Sequence, residues 1–280
     1  MTSPPAGSLP SHCPAPGDKP ITAASDFDVV AYGGNAEDVV LLRAFADRPG
    51  GFFVDVGAGD PTFGSVTKNL VDRLGWRGIN IEPLPECRAR LEAERPGDVN
   101  LTIAIDEQAG TTRFYRIVAA NGLVGGPALS TLDPDMVARH RAAGWGVEDL
   151  EVETEPLSDI LALHAPEHID LLKVDVEGAE ARVLRSAELE RWQPRVVVVE
   201  ATLPHTTVQS HDDWEPLMFG AGYRLALFDG VNRFYALAHE HELLQRLAIP
   251  ANVTDRYIPH HFALALGAAR LRGIVPRNPS

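Results

Sequence analysis

Cysteine is almost absent from this chain, with Cys13 and Cys87 the only two in 280 residues. Two thiols cannot build a disulfide scaffold or a cysteine-ligated zinc site, and their scarcity fits a reducing, cytoplasmic setting. Long apolar runs are missing too. No stretch approaches the ~20 residues that span a bilayer, and the opening Met1-Thr2-Ser3-Pro4-Pro5 has neither the basic start nor the apolar segment of a secretory signal. The expectation is a cytoplasmic protein without a membrane span. Positive charge is in short supply, since 25 Lys and Arg face 39 Asp and Glu for a formal net charge of −14. A field of that sign repels polyphosphate, so nucleic acid is not an expected partner, and Arg139 and Arg141 read as a solvated helix face.

What is present is an ordinary globular composition, 45% hydrophobic and 23% charged, enough to bury a sizeable core. Residues 1–26 are rich in Pro, Ser, Ala and Gly without a hydrophobic period and read as a flexible N-terminal arm. One domain is expected over 27–262, followed by a tail over 263–280. A helix over 35–46 places Val39, Leu42 and Ala46 on one face, with Glu37 and Asp38 in its first turn, where the helix dipole favours anions. Short apolar runs then alternate with helical periods. Strands are expected over 51–56, 78–82, 100–105, 112–116, 169–174 and 195–200, with helices over 66–74, 85–94, 157–164, 179–187 and 214–221. That rhythm predicts an α/β fold around a mostly parallel sheet. Four successive valines, Val196 to Val199, suit a central strand covered on both faces. Asp229-Gly230 between two apolar runs predicts a closing antiparallel hairpin. Residues 119–150, glycine-rich around a helix over 135–143, read as an insertion or lid.

The first strand ends in Asp55-Val56-Gly57-Ala58-Gly59-Asp60, where small residues let the backbone turn sharply and approach a ligand. A dinucleotide fingerprint would continue with a third glycine, but Pro61 and Thr62 stand there, which weakens the reading of an NAD-dependent oxidoreductase. The second strand ends in Glu82-Pro83, one strand-helix-strand unit further on, where an acidic group can accept hydrogen bonds from both hydroxyls of a ribose. The third candidate strand ends at Ile105-Asp106, an apolar cover for a base followed by an acceptor for its amino group. In Lys173-Val174-Asp175-Val176-Glu177, Asp175 falls at a strand's carboxyl end, the ligand edge of open α/β sheets. Glu177 starts the next helix as a cap or substrate contact, and Lys173, inside an apolar strand, requires a buried anionic partner or a wet cavity. Glu200 closes the neighbouring strand, with His205 and His211 beyond it. Two carboxylates and a histidine can act as a general base, or can hold a divalent ion such as Mg²⁺ or Mn²⁺ that acidifies a hydroxyl; both options stand.

With these residues quoted, the chain resembles the FkbM family of methyltransferases over about 28–260. The likeness is carried by Tyr32-Gly33-Gly34-Asn35-Ala36-Glu37-Asp38, the segment 54–60, the segment 76–83, Leu129-Ser130-Thr131-Leu132, the segment 172–180, Val199-Glu200-Ala201-Thr202, and the segment 228–235. The resemblance implies a Rossmann-like class I methyltransferase fold. It also implies O-methylation from S-adenosylmethionine, on a hydroxyl of a sugar, in a glycan or glycoside, or of a natural product. It places the cofactor on Asp55, Gly57, Ala58, Gly59, Asp60, Ser65, Glu82, Pro83 and Asp106. The acceptor is expected at Ser130, Thr131, Glu177, Asn232 and Arg233, with Asp175, Glu200 and His205 as the catalytic set. A further reading is a non-catalytic partner of a glycan or natural-product assembly enzyme that keeps the fold without turnover; the intact set of Gly57, Gly59, Glu82 and Asp175 argues against such decay, and titration with S-adenosylmethionine separates the two readings.

Overall fold

A computed structural model describes residues 27–119 and 126–271; the expected arm over 1–26 lies outside the described residues. Twelve strands are labelled in chain order: β1 (Val29–Ala31), β2 (Phe52–Val56), β3 (Arg77–Ile81), β4 (Val99–Leu101), β5 (Ala104–Ile105), β6 (Gly110–Val118), β7 (Gly146–Glu155), β8 (Leu171–Val174), β9 (Val196–Glu200), β10 (Tyr223–Phe228), β11 (Asn232–Leu237) and β12 (Tyr257–Pro259). The helices are α1 (Glu37–Ala44), α2 (Lys68–Leu74), α3 (Pro85–Glu94), α4 (Pro134–Ala142), α5 (Leu157–His164), α6 (Glu180–Ser186), α7 (Leu189–Trp192), α8 (Glu215–Gly220), α9 (His241–Leu247) and α10 (His260–Leu271). No helix among the described residues is long and apolar enough to cross a membrane.

The central sheet runs β10-β11-β9-β8-β2-β3-β4. The pairs from β9 across to β4 are parallel, while β11 joins β9 and β10 antiparallel, so the hairpin signalled by Asp229-Gly230 is present. Alternation along the strands supplies both faces. Val54, Val56, Leu172, Val174, Val197 and Val199 enter one apolar cluster, and Phe53, Leu171, Val196 and Val198 enter the other. This double cover is why β9 carries the unbroken run Val196 to Val199.

One expected strand differs and one strand is not expected. The apolar run 100–105 splits: β4 ends at Leu101, and Ala104–Ile105 leaves the main sheet to pair with β7. The segment 146–150, read as the end of an insertion, opens the long strand β7, whose residues 146–154 pair antiparallel with β6. The insertion proper is thus the connection between β6 and β7, with α4 inside it; residues 120–125 lie outside the described residues.

The first turn of α1 is anchored by its acids. Asp38 Oδ2 accepts from Tyr32 N at 2.8 Å and Asn69 Nδ2 at 2.6 Å. Glu37 accepts from Asn35 N at 2.9 Å and from Asn232 Nδ2, on β11, at 2.8 Å. Burial raises both carboxyls above their ordinary range, Glu37 to about 7 and Asp38 to about 6. The unfolded chain releases these protons near the ordinary values of 4.5 and 3.8, before the native state does. Stability from Glu37 is therefore full below its unfolded value and is lost as pH rises through about 7. Glu37→Gln removes that titration; its lost acceptor contributes an offset that does not vary with pH. Urea unfolding is expected to show the variant gaining on the wild type between pH 5 and 8, and a pH-independent difference would rule this out.

Candidate active site

The chain runs from β2 outward to β4 and then returns to β8 on β2's other side, so the carboxyl ends of β2 and β8 form a topological switch point. The two loops leaving it touch. A Cβ built on Gly57 (φ +76) would lie 1.8 Å from the Asp175 carbonyl oxygen, whereas one built on Gly59 (φ +58) would meet nothing within 4 Å. The close approach that requires Gly57 is therefore to backbone, a correction to the expectation that both glycines make way for a ligand. Gly59 faces the cavity.

Register places Asp55 beside Lys173, and the Lys173 Nζ lies 3.2 Å from Asp55 Oδ1 and 3.5 Å from Asp175 Oδ2 while donating to Gly57 O at 2.7 Å. The buried partner that Lys173 requires is thus Asp55. Burial opposes the charge of Lys173, but the two carboxylates outweigh it and raise its pKa.

Asp175, Glu177 and Glu200 converge, each offering a carboxylate oxygen within 4.8 Å of the others. Burial, with the surrounding Asp175, Glu177 and Glu180, pushes Glu200 well above the usual carboxylate range, and Glu200 shares a hydrogen bond with Asp175. Glu177 is raised by burial and by Asp175 and Glu180. Burial and like charge thus both disfavour the ionised forms of Glu177 and Glu200. Glu177 sits in the left-handed region at φ 55, a strained conformation for Glu. Thr131 Oγ1 secures it by donating to the Glu177 carbonyl at 2.6 Å, and Glu180 Oε1 accepts from Gly178 N at 3.0 Å.

These groups line a cavity of about 660 Å³. Its lining takes Gly57, Ala58, Gly59, Asp60 and Glu82 from the loops after β2 and β3, and Lys173, Asp175, Glu177 and Glu200 from β8, β9 and the loop after β8. Asn35, Glu37 and Asn232 line it as well, and so do Arg90, Arg116, Pro127 and Ala128. Glu82 is buried, with Oε2 accepting from Gly59 N and Oε1 from Leu84 N, both at 2.9 Å. Burial raises its pKa against those two bonds. Beside Glu82 lies an apolar slot between Ile81, Pro83, Ile103, Ile105, Phe114 and Leu132.

Several other expected site residues lie apart from both spaces. Asp106 pairs with Arg182 at 3.5 Å. Ser65 Oγ accepts from the buried Arg95 at 2.6 Å, which also reaches Thr67 and Pro61 and fastens the loop after the glycine turn. Ser130 accepts from Ile117 N. Arg233 points to Glu215 and Gln209, at 2.6 and 2.7 Å. His205 is exposed in a left-handed turn and lines neither space, and His211 approaches Asp212 and Glu215. Asp60 lines the cavity with one oxygen accepting from Thr62 N and Phe63 N and the other paired with Arg90. Sequence reading missed Glu37 as a wall residue, because a first-turn acid is explained by the helix dipole alone. It also missed Phe114 and Phe63, which no motif marks.

A family model described as the methyltransferase FkbM domain matches residues 55–225. The chain is 46% identical over 175 residues to methyltransferase sdnD of Sordaria araneosa, covering 55% of this chain and 67% of that one. It is 30% identical over 181 residues to the 31-O-demethyl-FK506 methyltransferase FkbM of Streptomyces tacrolimicus, covering 55% of this chain and 65% of the relative. The matched stretch thus spans about two thirds of each relative. The matched region holds the glycine turn, Glu82 and the acidic group, joined by the Gly57–Asp175 contact, and the chain belongs to the FkbM methyltransferase family.

Proposed function

We propose that this chain is an S-adenosylmethionine-dependent O-methyltransferase of Rossmann-like class I fold that acts on a hydroxyl of a natural product or sugar. The observation that carries the reading is Glu82, a buried carboxylate on the border between a glycine-lined cavity and an apolar slot. The residues fit the cofactor in kind: Ile81, Ile105 and Phe114 for a flat base, Glu82 for ribose hydroxyls, and the backbone of Gly57 to Gly59 for the amino-acid end. When bound, the cofactor supplies a methyl group made electrophilic by a sulfonium. The chain's own residues then have to hold the acceptor oxygen and take its proton. Asp175, a carboxylate lining the cavity, is the proton acceptor, and Lys173 keeps negative charge in the group. Oxygen as the acceptor atom is supported by one relative's name, which specifies an O-demethyl compound. An NAD reading is weaker here, because α2 begins only at Lys68 and leaves no helix N-terminus against the glycine turn for a pyrophosphate.

A second reading concerns the acidic group. Glu177 Oε2 is buried without a hydrogen-bond partner. A divalent cation held by Asp175, Glu177 and Glu200 would satisfy that oxygen, and carboxylates suit hard ions such as Mg²⁺ or Mn²⁺.

Glu82→Gln tests the cofactor site. It keeps size and polarity but removes charge-assisted acceptance, so calorimetric affinity for S-adenosylmethionine is expected to fall by ~1.5–3 kcal/mol, roughly 10- to 100-fold. Glu82 also accepts from Gly59 and Leu84, so the far-UV spectrum and unfolding midpoint are measured alongside. Unchanged affinity in a folded variant would remove Glu82 from the site.

A further inference from the structure

A second cavity, about 290 Å³, adjoins the first and shares Gly34, Asn35, Phe63 and Gly64 with it. Its lining is aromatic. The Tyr32 and His260 rings lie 4.9 Å apart and the Phe63 and His260 rings 5.0 Å apart, both tilted, with Tyr257 on the same wall. Phe63 is 57% exposed, an unfavourable placement for a large apolar ring, yet its loop is pinned. Gly64 N donates to Tyr32 O at 3.1 Å, Gly33 bridges Gly64, and Asp60 accepts from Phe63 N at 2.8 Å. Phe63 meets His260, which in turn meets Tyr32, and this chain of rings offers a stacking surface. Burial and the neighbouring Lys68 and His261 lower the pKa of His260, which favours the uncharged imidazole.

The size of the main cavity gives this pocket an occupant. Sites that enclose one drug-sized ligand run from about 300 to 1,000 Å³, so 660 Å³ shared with the ribose and amino-acid end of a nucleoside cofactor leaves room for the reacting end of an acceptor and little more. The rest of a larger acceptor has to leave across a shared wall. Tyr32, Tyr257 and His260 all lie outside the stretch 55–225 that matches the family, so most of this pocket is built by parts of the chain beyond the matched region.

We propose that the aromatic pocket of Tyr32, Phe63, Tyr257 and His260 is an acceptor subsite that stacks the apolar face of a hydroxylated ring, such as a sugar or a saturated carbocycle, while another hydroxyl of the same molecule reaches the acidic group. This rests on the reading of the main cavity as the methyl-transfer site. Gly34, exposed on the shared wall, has no positive φ, and a Cβ there would meet nothing within 4 Å. Gly34→Val therefore fills the passage without backbone strain, and Phe63→Ala removes a mostly exposed ring.

The test is saturation-transfer NMR on the full chain with saturating S-adenosylhomocysteine, using methyl β-D-glucopyranoside, methyl β-D-galactopyranoside and cyclohexane-1,4-diol as probes. Ring-proton signals from at least one probe are expected, with apparent affinity about three- to ten-fold weaker in Phe63→Ala and in Gly34→Val. S-adenosylhomocysteine affinity, measured in the same samples, is expected to stay at the wild-type value. Probe binding indifferent to both substitutions, or no probe binding to a wild type that binds S-adenosylhomocysteine, overturns the subsite alone. Loss of S-adenosylhomocysteine affinity in step with the probes reassigns the pocket to the cofactor. A wild type that fails to bind S-adenosylhomocysteine defeats the methyltransferase reading itself.

Discussion

Asp175→Asn is expected to cut methyl transfer by on the order of 10²-fold or more while leaving cofactor affinity nearly unchanged. Asparagine keeps the size of the side chain and most of its hydrogen bonding but cannot take a proton. The backbone contact from Asp175 N to Val56 O, at 3.1 Å, survives, and Lys173 retains Asp55 at 3.2 Å, so the loop has no reason to collapse. The loss should therefore appear in kcat, with an acceptor identified by a mass gain of one methyl group. A chelator then separates the two forms of the site. Activity lost with EDTA and restored by Mg²⁺ or Mn²⁺ indicates a cation among Asp175, Glu177 and Glu200, and indifference indicates a carboxylate acting as base. Wild-type turnover in Asp175→Asn would reduce the residue to a loop cap and refute both.

Gly57→Val is expected to damage the fold before it damages binding. Its side chain would begin 1.8 Å from a carbonyl oxygen and 3.0 Å from the carbonyl carbon of Asp175, atoms fixed at the end of a central strand. The left-handed backbone adds strain for a branched residue. Together these cost on the order of 3–5 kcal/mol, a large share of the stability of a domain. Insoluble protein or a sharply lowered unfolding midpoint is the anticipated outcome. Gly59→Ala is the counterpart: it carries left-handed strain of ~1–2 kcal/mol but meets no neighbour, so it should fold and show its defect as weakened cofactor affinity. A Gly57→Val protein with the wild-type midpoint would mean that the β2 and β8 loops do not touch as described.

Much of this arrangement is legible in the chain because its physical causes are local. The valines of β9 announce a doubly covered strand, and Asp229-Gly230 announces the hairpin. The convergence of Asp175 and Glu200 follows once both are recognised as strand ends on one sheet edge. The less legible parts depend on partners distant in sequence. β7 is nearly all polar on its outward face, and the glycines before it suggest a loop, so its alternation of Val147, Asp149, Leu150, Glu151 and Val152 becomes interpretable only beside β6. Ala104 and Ile105 continue an apolar run yet belong to another sheet. Glu37 meets Asn232 across 195 positions, and nothing in a first-turn glutamate signals a cavity wall. Ser65, Asp106 and Arg233 are polar residues near the right strand ends whose side chains are taken up by Arg95, Arg182 and Glu215.

The account turns on what the glycine-lined cavity binds, and a calorimetric titration of the full chain with S-adenosylmethionine and, separately, with NAD⁺ measures this directly. Saturable one-to-one binding of S-adenosylmethionine, abolished by prior S-adenosylhomocysteine and absent with NAD⁺, is the predicted result. Saturable binding of NAD⁺ with no heat from S-adenosylmethionine would contradict it.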